Sequence, residues 1–178
     1  MVKIRRPALS VILILLWVGF LWKTAVPMDE YIWRKAKAVE PGDVVFWTNE
    51  NNTLLLKGWS VPEEHFRWSQ TRKPQICFKI DKTVWEEGST LVITVECFPL
   101  PILVGHTAVF RLLPDGTEYP IVLSDTQATK YAVKKVLSKT SPEKMCLEIE
   151  LPFTGRGNPG DPRKLGIALK TISFTKLP

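Results

Sequence analysis

Apolar and polar positions alternate with a period of two along most of this chain, as in strands that bury one face. The clearest case is 144–151, where Met145, Leu147, Ile149 and Leu151 share one face and Lys144, Glu148 and Glu150 the other. Further strands, bounded by turn residues, are expected at 43–47, 53–57, 75–80, 90–98, 107–113, 118–123, 131–137 and 164–174. In 107–113, Ala108, Phe110 and Leu112 oppose Val109, Arg111 and Leu113, which predicts a strand covered on both sides. Glu87-Gly88-Ser89, Pro114-Asp115-Gly116 and Ser141-Pro142 mark turns between runs. Eight or nine short strands with polar turns predict an all-β domain over 43–178, a β-sandwich of jelly-roll type.

The first part of the chain has a different pattern. Lys3, Arg5 and Arg6 precede a charge-free apolar run over 7–22. As a helix this run reaches about 24 Å, somewhat short of a ~30 Å hydrocarbon core. Lys23 extends its ammonium to the interface, and residues 24–28 complete the crossing. A signal peptide cut after Ala25 would place Lys23 where a small residue is required, so an uncleaved transmembrane helix is expected over 7–28. The basic residues stand before the run and Asp29 and Glu30 after it, which keeps residues 1–6 cytoplasmic and sends the domain across the inner membrane, to the periplasmic or extracellular side. Residues 29–42 form a juxtamembrane helix or linker. Tyr31, Ile32 and Trp33 would rest at the lipid interface, with Pro41-Gly42 ending the segment.

Charge adds little to this picture. Of the formal +6, Lys3, Arg5, Arg6 and Lys23 supply four, leaving +2 on residues 24–178. A nearly neutral domain lacks the basic field that nucleic acid requires. Among the cysteines, Cys77 shares the Lys79 face of its strand and Cys146 the glutamate face of its own, whereas Cys97 falls on the face of Leu91, Ile93 and Val95. If a bridge forms, facing favours Cys77 with Cys146; three unbridged small hydrophobes are the other reading.

Catalytic chemistry is not evident. His65 and His106 lie in no metal-ligand spacing, and there is no CxxC, HExxH, GxSxG or phosphate-binding glycine loop. The glycine-rich stretch 155–160 is interrupted by Pro159 and reads as a surface loop. No metal or cofactor is expected.

Two segments remain: 58–69, GWSVPEEHFRWS, and 161–174, DPRKLGIALKTISF. They concentrate Trp59, Glu63, Arg67, Trp68, Asp161 and Arg163, a mixture suited to a sugar. An aromatic face covers the C–H face of a pyranose, while carboxylates and guanidinium groups take hydroxyls in pairs of hydrogen bonds. The competing reading makes the tryptophans core residues at a sheet edge and pairs Arg67 or Arg163 internally with Glu63 or Asp161.

The pattern GWSxPExxFRWS with DPRxLGIALKxISF resembles a β-sandwich domain of bacterial envelope proteins. Such segments occur beside glycosyltransferases and in phosphoglycerol-transferase-like proteins that act on surface glycans. The resemblance spans roughly residues 43–176. It implies that Trp59, Glu63, Arg67 and Trp68 occupy one end of the sandwich, with Asp161 and Arg163 nearby at the start of the last strand. The sequence shows no transferase or sulfatase-like catalytic domain, so any such activity is expected to belong to a partner enzyme. The expected function is a carbohydrate-binding or accessory module in envelope glycan synthesis or modification. The alternative is a subunit that binds another protein of an inner-membrane complex through a sheet edge or apolar patch.

Overall fold

Among the described residues, eleven strands build two sheets: β1 (Ala38–Val39), β2 (Val44–Phe46), β3 (Leu55–Lys57), β4 (Arg67–Trp68), β5 (Gln75–Ile80), β6 (Thr90–Pro99), β7 (Thr107–Leu113), β8 (Thr117–Val122), β9 (Thr129–Val136), β10 (Lys144–Glu150) and β11 (Ile167–Leu177). The computed structural model describes Trp33, residues 38–46 and residues 54–178. It divides into two units, residues 1–35 and residues 36–178. The expected tail and anchor over 1–28, and the juxtamembrane segment up to residue 37 except Trp33, lie outside the described residues. Among the described residues, no helix is long and apolar enough to cross a membrane.

One sheet runs β5-β10-β7-β8, with β1 and β3 both on the free side of β5. The other runs β11-β6-β9, with β2 and β4 both on the free side of β11. All pairings are antiparallel except that of β1 with β5. Consecutive strands change sheet at every step except the β7–β8 hairpin. The nine expected strands are present, with ends shifted by a few residues. The expected juxtamembrane helix or linker over 29–42 is corrected at its end. Ala38 and Val39 are extended and pair with Lys79 and Ile80, so the sandwich begins before residue 43. Buried Trp85 fixes this short strand, donating its indole N–H to the Val39 carbonyl at 2.9 Å.

The period of two sorts residues to faces as the sequence implies. Ile76, Phe78, Ile80, Met145, Leu147, Ile149, Ala108, Phe110 and Leu112 face inward from one sheet and Leu91, Ile93, Val95, Cys97, Ile172 and Phe174 from the other, all buried. Phe78 and Phe174 meet with ring centroids 5.0 Å apart. Strand β7 is buried on one face only, because Val109, Arg111 and Leu113 retain partial exposure.

On the outer face of the first sheet, Leu55, Cys77, Cys146 and Leu113 stand in one register row, and Cys77 is disulfide-bonded to Cys146. The next row contains Gln75, Glu148, Arg111 and Glu118. Glu148 is nearly inaccessible, and its carboxylate accepts from Gln75 at 2.8 Å and Arg111 at 2.7 Å. Those bonds compensate its desolvation. At the opposite edge the Tyr119 hydroxyl of β8 donates to the Lys134 carbonyl of β9, and Lys135 pairs with Asp115, tying the two sheets together.

Candidate functional site

Residues 58–69 fold back on themselves beside the last strand. Gly58 has φ +76°, a conformation that side chains disfavour, and a Cβ there would come within 2.3 Å of Thr71 Oγ1. Trp59 bridges to Ser69, Ser60 N–H donates to the Trp68 carbonyl at 2.8 Å, and Glu63 N–H closes the tip on the Phe66 carbonyl at 2.9 Å. Ser69 is buried, and its hydroxyl accepts from the Ile167 N–H at 2.9 Å. Gly166 permits this approach, since a Cβ would stand 2.5 Å from Ser69 Oγ and 2.3 Å from Leu151 Cδ1.

Arg67 and Trp68 are adjacent in a strand and therefore project from opposite faces. Trp68 lies opposite Ala168, and Ala168 opposite Phe98, so a small buried residue separates two rings. Trp68 and Phe98 contact edge to face at 5.5 Å, and Phe66 completes the group at 5.8 Å from Trp68 and 5.4 Å from Phe98. Each ring is thus oriented by the other two.

Next to this group is an ion cluster. Arg163 donates from Nε and Nη2 to the Asp161 carboxylate at 3.0 and 2.7 Å, and from Nη1 to Glu63 Oε1 at 3.0 Å. The Arg163 backbone N–H also reaches Asp161 Oδ1 at 2.9 Å. The Arg163 side chain, followed by that N–H, holds the Asp161 carboxyl below its usual range. Asp161, followed by Glu63, pushes the Arg163 guanidinium further up. The cluster joins positions 100 residues apart and secures the 155–163 loop to the 58–69 segment.

Rings and cluster border an open cleft of about 370 Å³. Its apolar lining is Trp68, Phe98, Pro99, Leu100, Pro101 and Leu165; its polar lining is Glu63, Asp161, Arg163, Asn158 and Thr126, with Gly157 between. Four of the six sequence-predicted residues meet here: Glu63, Trp68, Asp161 and Arg163. The other two do not line it. Trp59 is half-buried against the core and donates its indole N–H to the Gln75 carbonyl at 3.0 Å. Arg67 donates to the Ser60 carbonyl at 3.1 Å, and its burial lowers its pKa. Phe98, Asn158 and Thr126 were not anticipated. Phe98 had a signal, as the one aromatic on the polar side of an alternating strand; Asn158 and Thr126 lie in loops without a pattern.

Among the described residues no group of three or more His, Cys, Asp or Glu side chains is placed to hold a metal. His65 is exposed beside Glu64, and His106 packs on Phe153.

No family model matches the chain, and no curated protein matches it. Solved structures with a similar course include the CBM22-1 xylan-binding domain of Paenibacillus barcinonensis Xyn10C, with TM-score 0.47 and 10% identity over 79% of this chain and 100% of that one. A CBM4 structure gives TM-score 0.44 and 10% identity over 80% and 93%, and a family 35 carbohydrate-binding module from Clostridium thermocellum 0.37 and 6% over 73% and 95%. These likenesses are too loose to transfer a ligand.

Proposed function

We propose that this chain is a membrane-anchored, extracytoplasmic glycan-binding module that serves envelope glycan synthesis or modification. The observation that carries the reading is the convergence of Trp68 and Phe98 with Glu63, Asp161 and Arg163 in one open cleft. A half-buried ring bordering an open cleft beside fixed hydrogen-bonding groups is what a pyranose requires. Asp161, kept ionised by Arg163, is suited to organising a site and not to donating a proton. The Cys77–Cys146 bridge suits an oxidising compartment, in keeping with a domain sent across the membrane by the apolar run 7–22. The module would act beside a membrane glycosyltransferase or a phosphoglycerol-transferase-like enzyme, holding the glycan near it.

The test is a glycan array probed with the full chain in detergent, followed by calorimetry on any hit with wild type and Trp68→Ala. Binding that Trp68→Ala removes supports the proposal. No binding to any glycan, together with stable co-purification of a membrane protein, would favour the protein-interaction alternative.

A further inference from the structure

The charge of the cleft selects among glycans. We infer that the cleft takes a neutral glycan and rejects uronate, sialyl and phosphate groups. The inference rests on the glycan-binding reading of this same cleft and deepens it.

Arg163 is the one cation lining the cleft among the described residues. A lone guanidinium there would be an anchor for carboxylate or phosphate. Here it is already neutralised twice, by Asp161 and by Glu63, so the cluster carries one net negative charge. Asp161 is consumed within the cluster: Oδ1 accepts from the Arg163 backbone N–H and Nε, and Oδ2 from Nε and Nη2. Asp161 is a positioning residue.

The hydrogen-bonding capacity left over suits hydroxyls. A guanidinium has five N–H donors, and the cluster uses one on Nε, one on Nη1 and one on Nη2, leaving two. Glu63 uses only Oε1 within the cluster, which leaves Oε2 as an acceptor. Asn158 and Thr126 add groups that both donate and accept. A hydroxyl, which donates and accepts, is matched by this set. An anionic group can accept from the two remaining guanidinium N–H groups, the Asn158 amide and the Thr126 hydroxyl, but it offers no donor to Glu63 Oε2 and meets the field of the surplus carboxylate.

The experiment compares matched oligosaccharides against the full chain in detergent: a neutral hexose oligomer that the array identifies, and the same oligomer oxidised to the carboxylate at C6. The neutral oligomer is expected to bind at least about tenfold more tightly at low ionic strength, with the gap narrowing as salt approaches about 1 M. Asp161→Asn retains an acceptor for the Arg163 backbone N–H but removes one negative charge, and is expected to narrow the same gap several-fold. Glu63→Gln makes the equivalent charge change from the other segment should Asp161→Asn misfold. If acidic glycans bind as tightly as neutral ones, or tighter, the inference is overturned while the glycan-binding reading stands. If neither variant alters the gap, the cluster is not its source and the inference also fails. If no glycan binds, the reading beneath it fails.

Discussion

Trp59 and Trp68 are equivalent in the sequence and differ in the structure, so truncating each separates a binding ring from a supporting one. Both are half-buried and packed against the core. Full truncation of a buried tryptophan costs ~3–5 kcal/mol, so either alanine variant should cost about 2–3 kcal/mol. Trp59→Ala also leaves the Gln75 carbonyl without its indole donor, adding roughly 1 kcal/mol. For a domain of this size these costs amount to a fall of ~4–16 °C in thermal midpoint, with overlapping ranges for the two variants. Stability alone therefore does not distinguish the two, and binding must. Trp68 lines the cleft, and its loss should weaken glycan affinity by about thirtyfold or more, the effect of removing a central aromatic contact. Trp59 does not line it, and affinity should stay within about twofold. Calorimetry well below either midpoint, paired with thermal melts, makes the comparison. Equal losses of affinity, or loss with Trp59→Ala alone, would refute the assignment of the rings.

Reduction of the Cys77–Cys146 bridge, which spans 69 residues of sequence, should destabilise the domain by ~2–4 kcal/mol, visible as a lower urea midpoint with reductant; an unchanged midpoint would count against the bridge. Burial pushes the Cys97 thiol up to about 12, with Glu96 adding to the effect, so iodoacetamide should leave the native chain unmodified and label Cys97 alone after unfolding without reductant. Because the folded-state pKa of Asp161 is depressed, its contribution is present above the ordinary value of 3.8 and is lost only as pH falls through the lower folded value. Glycan affinity should accordingly be flat from about pH 5 to 8, and a midpoint near pH 6 would implicate a histidine, which the cleft does not contain.

The legibility of the fold followed the length of its elements. The longer strands β5, β6 and β10 display the period of two over several cycles, and their faces were read correctly from it, whereas β7, with apolar residues at both ends of its outer face, was read as covered on both sides and is buried on one. β1 and β4 are two residues each, too short to show any period, and both depend on contacts from distant sequence: Trp85 for β1, Ala168 and Leu169 for β4. Trp85 itself lies in a turn, where alternation says nothing about burial. In the site, clustering of aromatic and charged residues identified the two segments but not the sides they face. Arg67 and Trp68 are neighbours in a strand, so both could not enter one cleft. The internal pairing of Arg163 was one of two readings of Asp161-Pro-Arg163, and the structure combines them by placing a spent ion cluster on the cleft wall.

Strand β11 pairs with β2, β4 and β6, and the cleft lies between the 58–69 segment and the loop leading into β11. The order of synthesis acquires a meaning from this arrangement. A nascent chain has Trp68 and Phe98 early, but neither Ala168 between them nor Arg163 to meet Glu63 until β11 and the loop before it have followed. A chain that has not yet added β11 thus presents no finished cleft, however much of the remaining sandwich has formed.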